Sequence, residues 1–346
     1  MSEQIDLPGW EDDDRPRRRR RRRRGPILIV LGLVALLVLG AGGWAGWYAL
    51  QLKGDYDKRT TVSLARSASD GARPQVPAGS GTNYLLLGSD RRDPEEARLS
   101  GVVGQRSDVM MLVHVSDDKE DVYVLSFPRD LWVDIPGHGK ERINAALAFG
   151  GVPLTVTTVE NYVGVPIDHV AMIDFQGIQG LVDTLGGVDV EVPQTFEADG
   201  KSYTEGVQHM DGETALVFVR QRKQFADGDF QRNRNQQALL RGITQEILAR
   251  DTLSSPTKVA EMVGVITPFL TTDDALTAGR MVQLGWGLRE VRGENIHYLS
   301  VPHGGPFMTS GGASVVATDE QNMNVLRTAL REDDMGTYYS NNAGKW

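Results

Sequence analysis

No cysteine occurs anywhere in the chain. That excludes disulfides and thiolate-bound metal. A large domain without disulfides relies on its own core, and outside the cytoplasm this suits a bacterial envelope better than an animal secretory pathway. Histidine is sparse. His114, His138, His169, His209, His297 and His303 are scattered, and no HExxH or comparable spacing occurs, which argues against histidine-bound zinc. Positive charge is in deficit: the net charge is −9. Residues 1–26 hold nine arginines against six acids, which leaves −12 for the rest. So acidic a bulk argues against nonspecific nucleic-acid binding. Between Gly25 and Leu52 charge is missing altogether.

That charge-free stretch follows eight consecutive arginines, Arg17 to Arg24. At ~1.5 Å per helical residue it is long enough for the ~30 Å hydrocarbon core of a bilayer. A cleaved signal peptide has a shorter apolar run and small residues before its cleavage site. Here bulky Trp47 and Tyr48 stand in that place. Arginines stay on the cytoplasmic side, and Trp44, Trp47 and Tyr48 suit the opposite headgroup layer. The reading is a cytoplasmic Arg-rich tail at 1–25, a transmembrane helix at 26–50, a polar extracellular linker at 51–80 and an extracellular globular domain at 81–346. The arginine run is read as a topology signal and a contact with anionic membrane lipid, not with nucleic acid.

From Asn83 onward short apolar runs alternate with helical patterns. NYLLLGSD, DVMMLVHV and DVYVLSFP read as strands, the last two around a DDKED turn. Helices are expected over 142–149, 154–162, 175–185, 230–250, 258–270, 274–291 and 319–331. DHVAMID, VDVEVP and IHYLSVP read as further strands. Gly186-Gly187 ends one helix, and Asp211 caps another. Such alternation predicts one α/β domain, its sheet covered on both faces.

Arginines and acids collect at the ends of these elements, where open α/β sheets place ligands. Asp90 and Arg92 follow the first strand. Arg106 and Asp108 open the second, and Arg129 with Asp130 follows the third. Arg220 and Arg222 are two apart, on one face if extended. Asp229, Arg232 and Gln236 are three and four apart, hence on one helix face. Arginine forks match phosphate oxygens, helix N-termini favour anions, and carboxylates hold Mg²⁺ or act as bases. Together these residues predict a phosphate or pyrophosphate site. Singly, each Arg–Asp pair reads as an ordinary surface ion pair. Arg98, Arg234 and Arg241 are expected to be solvated.

The blocks LLLGSDRR, RSDVMMLVHV, VLSFPRDLWVDIPG, RINAALAFGG, VDTLGGVDVEV, MDGETALVFVRQR and DFQRNRNQQ, in this order behind one anchor, resemble the LytR–CpsA–Psr family of membrane-anchored cell-wall enzymes. The likeness runs from about Asn83 to Leu240. It implies a three-layer α/β/α sandwich around a central mixed sheet, with a polyprenyl chain in an apolar cavity and its pyrophosphate among arginines and Mg²⁺ (Mn²⁺ as the alternative ion). It implies transfer of a glycopolymer phosphate from a polyprenyl-pyrophosphate carrier to the muramic acid 6-hydroxyl of peptidoglycan. The family's charged positions fall on Asp90, Arg92, Arg106, Asp108, Arg129, Arg220, Arg222, Asp229, Arg232 and Gln236. Of these, Asp90 and Asp108 are expected to hold metal. Asp90, Arg129, Arg220, Arg222 and Asp229 are expected to be catalytic. Arg92, Arg106, Arg129, Arg220, Arg222, Arg232 and Gln236 are expected to bind pyrophosphate. Asn235 is a departure, since the family often has arginine there, and its presence is expected to weaken one phosphate contact. Two alternatives use other chemistry: a pyrophosphatase with water as acceptor, and a transcriptional or wall-integrity regulator. The outward topology and the short cytoplasmic tail speak against the second.

Overall fold

The computed structural model describes residues 50, 53–64, 72–89, 107–221, 225, 228–249, 255–288 and 291–346. The transmembrane expectation, 26–50, lies outside them but for Leu50. Among the described residues no helix is long and apolar enough to cross a membrane. Residues from Gln51 onward form one compact unit.

The elements are β1 (60–62), β2 (82–89), β3 (107–115), β4 (122–126), β5 (132–135), β6 (139–142), α1 (145–163), β7 (169–174), α2 (175–185), β8 (188–192), β9 (196–198), β10 (201–203), β11 (206–210), α3 (212–220), α4 (228–248), α5 (256–266), β12 (270–273), α6 (278–287), β13 (296–300), β14 (303–308), β15 (314–318), α7 (320–332) and α8 (335–342). Seven strands form the central sheet, in the order β1-β12-β7-β2-β3-β4-β13. It is mixed: β1/β12, β7/β2 and β4/β13 are parallel, whereas β12/β7, β2/β3 and β3/β4 are antiparallel. The expected α/β architecture, a mixed central sheet flanked by helices, is therefore present.

Strand alternation gives the sheet two different faces. Leu85, Leu87, Met110, Leu112 and Leu125 turn to one face and are almost fully buried against α1, α7 and α8. Burying side chains of this size contributes roughly 1.5–3 kcal/mol each. Tyr84, Leu86, Val109 and Val113 turn to the other face and stay only half-buried, under α4 and the end of α6. A separate core of α2, α3, α5, α4 and the small β8–β11 strands lies beyond α4.

The helical readings at 142–149 and 154–162 meet in α1, which breaks at Gly150-Gly151; Gly151 has φ +65°. Asp211 accepts the Thr214 N–H, and Gly186 ends α2 at φ +89°. Other expectations change. Helix 258–270 ends at Ile266 and leads into β12, and helix 274–291 contracts to α6. The segment read as linker carries β1, which pairs with β12 at the sheet edge. Within it Arg59 and Tyr56 are buried.

β12 is tied in by a buried carboxylate. Asp273 accepts the Val170 N–H at 2.9 Å and the Leu276 N–H at 2.8 Å, and faces His169 Nδ1 at 3.2 Å. Burial pushes its pKa up, but the His169 contact and the two N–H donors outweigh that and hold the carboxyl below its usual range. Its pKa is thus lower folded than unfolded, so the stabilisation is complete above the unfolded value of about 3.9 and is lost as pH falls through the folded value. Asp273→Asn is expected to cost about 2–3 kcal/mol at neutral pH, the gap closing below about pH 4. Paired urea melts at the two pH values check this; a gap that persists in acid rules out the ionic origin.

Candidate active site

The site is organised by one face of α4. Asp229, Arg232, Gln236, Leu239, Leu240 and Ile243 recur at three- and four-residue spacing, so their backbone positions form a single stripe. The stripe changes character along its length, with charge at the helix start and apolar residues further on. Gln236, Leu239, Leu240 and Ile243 line a half-open cleft of about 630 Å³, the solvent at its mouth included. Its opposite wall is the looser sheet face, Leu86, Gly88, Val109 and Met111, closed at the side by Ile173, Phe175, Ile178 and Val219. Nearly every wall group is hydrocarbon, and Gln236 stands at the polar end. Such a cleft takes an apolar chain whose polar end emerges at the start of α4.

The mouth lies where β2 and β7 end. Ser89 pairs with Asp174 on β7 and with Ser107 on β3. Asp174 then caps α2 by accepting the Gly177 N–H at 2.9 Å, which sets Phe175 at the rim. The Arg220 guanidinium lies 4.3 Å from the Phe175 ring centroid. This cation–π contact holds an exposed cation directly over a cavity-wall residue. Arg232 is buried, 4% exposed, one turn before Gln236. Arg129 follows β4 and pairs with Asp130 at 3.4 Å; Asp130 also meets Arg142 at 3.5 Å. Arg129 is thus placed after the end of β4, Arg220 at the end of α3, and Arg232 and Gln236 in the first half of α4. Arg220 and Gln236 flank the cleft itself.

The other expected positions divide in two. Asp90, Arg92, Arg106 and Arg222 lie outside the described residues. Of Asp108 and Asp229 only the backbone is described. Asp108 is the extra residue where the β2/β3 register shifts between Gly88 and Ser89, a β-bulge. Bulges re-aim side chains and favour active sites. The described residues contain no group of three or more His, Asp or Glu able to hold a metal. Carboxylates are nevertheless the hard oxygen donors that Mg²⁺ takes, and in sequence Asp90 and Asp108 directly follow the paired Ser89 and Ser107.

Asn235 has a place the sequence did not reveal. It is fully buried, accepts from Gln231 Nε2 at 2.9 Å and donates to the Phe218 carbonyl at 3.2 Å. It ties α4 to the last turn of α3, two residues before Arg220. Arg234 is exposed and donates to Gln231 Oε1 at 2.9 Å, as its place off the stripe suggested. Phe230 on α4 stacks on His303 with centroids 4.8 Å apart. Burial pushes His303 below its usual pKa, Asp319 opposing in part.

Comparison with known proteins identifies the family. The LytR_cpsA_psr family model matches residues 51–332. The chain belongs to that family. A relative, the polyisoprenyl-teichoic acid–peptidoglycan teichoic acid transferase TagU of Enterococcus faecalis, is 30% identical over 308 residues, covering 88% of this chain and 95% of the relative. The crystal structure of Bacillus subtilis TagV superposes with a TM-score of 0.62 at 26% identity, covering 74% of this chain and 98% of TagV. A structure of TagT bound to LI-WTA gives a TM-score of 0.58 at 28% identity, covering 79% and 98%. This LytR_cpsA_psr member therefore shares the family's α/β domain almost end to end.

Proposed function

We propose that the protein is a phosphotransferase that moves a glycopolymer phosphate from a polyprenyl-pyrophosphate carrier to a hydroxyl of peptidoglycan, the muramic acid 6-hydroxyl. The observation that carries this is the α4 stripe, which joins an arginine-bearing mouth to a hydrocarbon-lined cleft. A ligand with a long apolar tail and a pyrophosphate head matches that gradient, and the teichoic acid transferase relative points to the same ligand class.

The hydroxyl oxygen attacks the glycan-side phosphorus. The bond from that phosphorus to the bridging oxygen breaks, polyprenyl monophosphate leaves, and a phosphodiester forms. Arg129, Arg220, Arg222 and Arg232 offset charge growing on the leaving phosphate, with Arg92 and Arg106 joining the head-group site. Transfers of this kind depend mainly on positioning and electrostatics. Gln236 orients the head group where cleft meets mouth. Asp90 or Asp229 takes the hydroxyl proton. Asp90 and Asp108 would hold Mg²⁺, which when bound neutralises pyrophosphate oxygens. We assign residues 26–50 to a single-pass anchor, with the N-terminus cytoplasmic and the domain outside.

The test uses the purified full-length protein in liposomes with polyprenyl-pyrophosphate glycan, nascent peptidoglycan and Mg²⁺. Mass spectrometry is expected to find a phosphodiester-linked product. Release of glycan phosphate alone, with acceptor present, would instead establish a pyrophosphatase. EDTA is expected to stop the reaction and Mg²⁺ to restore it in the wild type but not in Asp108→Ala. Undiminished turnover in EDTA would remove the metal from the mechanism.

A further inference from the structure

The looser sheet face continues beyond the apolar cleft. Alternation puts Thr82, Tyr84, Leu86 and Gly88 of β2 on that face, with Val109, Met111, Val113 and Val115 of β3. The apolar cleft uses the half nearest the mouth. A second cleft uses the other half, where Thr82, Tyr84, Val115 and Lys119 face Arg280 and Leu284 of α6. The eight residues of β2 set the two ends about 26 Å apart.

The far cleft lies where the chain enters the domain. Tyr56 Oη donates to the Leu276 carbonyl at 2.8 Å, and Arg59 Nη2 donates to the same carbonyl at 2.9 Å. Arg59 Nε donates to Thr272 Oγ1 at 2.7 Å. Leu276 stands two residues before α6. Tyr56 stands four residues after Leu52, the last residue of the charge-free run. Four residues reach at most ~14 Å. Within α6, Met281 is 41% exposed and Val282 72% exposed, and Arg280 and Gln283 beside them are exposed too. Leu284 and Leu288 hold the helix to the domain side. Gly279, Gly285 and Gly287 leave it little helical propensity of its own in water.

We propose that α6 is a membrane-docking helix and that the cleft beneath it opens to the bilayer. Met281 and Val282 enter the interfacial layer, and Arg280 and Lys119 meet lipid phosphates. A polyprenyl chain held in the apolar cleft then runs along the same sheet face into lipid. This rests on the reading of residues 26–50 as an anchor. The bilayer is the occupant because only six residues, at most ~22 Å of chain, join the end of that anchor at residue 50 to Tyr56 of the clamp on Leu276, two residues before α6. Long basic side chains next to exposed apolar ones suit that layer.

A chain without cysteine takes single labels cleanly. Nitroxides are placed at Val282→Cys and, as a control, at Val207→Cys on β11, where valine is 74% exposed. The full-length variants are reconstituted in phosphatidylglycerol-containing liposomes, and collision with oxygen and with a water-soluble nickel chelate is compared. The label at position 282 is expected at a depth of about 5–10 Å, and that at position 207 in water. Aqueous values at both sites in protein that co-floats with the liposomes overturn docking and leave the anchor standing. Low access to both reagents at position 282 means a protein covers α6 and also overturns docking. Protein that fails to co-float sinks the anchor reading, and docking with it.

Discussion

Arg220→Ala is expected to slow phosphodiester formation by about 10²–10³-fold, the loss found when one preorganised donor to a developing oxyanion is removed. The size follows from where the guanidinium stands. It is held 4.3 Å over Phe175, itself part of the cleft wall, so the cation is positioned before the pyrophosphate arrives. Phe175 is fixed by the Asp174 cap, and the turn before Arg220 by the Asn235–Phe218 hydrogen bond. Little of this bears on folding. An exposed cation–π contact contributes ~0.5–1 kcal/mol, so Tm is expected to fall by only about 2–3 °C. Arg220→Lys keeps the charge but loses the fork and is expected to fall between the two. Arg234→Ala, also on an exposed arginine, is expected to stay within about twofold of wild type, because Arg234 lies off the α4 stripe and donates to Gln231. Single-turnover rates with labelled carrier distinguish the cases. A normal rate in Arg220→Ala would remove it from the mechanism.

Local features of this domain were legible in the sequence, whereas those created by tertiary neighbours were not. The α4 stripe could be read because three- and four-residue spacing alone decides which positions share a face. Asp211 and Gly186-Gly187 could be read because caps act within a turn. β12 could not: LTTD resembles the polar end of a helix, and only its pairing with β7 and β1 makes it a strand. β1 is three residues of edge strand whose partner lies some 210 residues away. Asn235 looked like a lost phosphate ligand because its partner, the Phe218 carbonyl, is reached only through the fold. Phe175 carried no sequence signal as the rest for a guanidinium. The hairpin of β14 and β15 was missed because β14, HGGPFM, is glycine-rich and β15, SVVAT, is short, and neither alternates clearly. For Asp90, Arg92, Arg106 and Arg222, the family resemblance remains the ground of assignment.

Leu86→Trp is expected to cut transfer from a full-length polyprenyl donor by about 100-fold or more. Leu86 is half-buried and faces the cleft between the sheet and Leu239, Leu240 and Ile243. The indole would fill space intended for the lipid, so the usual overpacking cost of ~1–3 kcal/mol is expected at its low end. The donor pays instead. Each CH₂ kept out of an apolar site forfeits ~0.8 kcal/mol, so displacing four carbons costs about 3 kcal/mol, more than 100-fold in affinity. That loss belongs to binding of the tail. It should appear in KM or in single-turnover efficiency at low donor, and a donor with a much shorter isoprenoid should lose far less. Arg220→Ala is expected to show the opposite pattern, with turnover reduced for both donors because the head group is the same. Crossing the two variants with the two donors therefore separates tail from head. Equal losses for long and short donors in Leu86→Trp would mean that the cleft does not hold the tail.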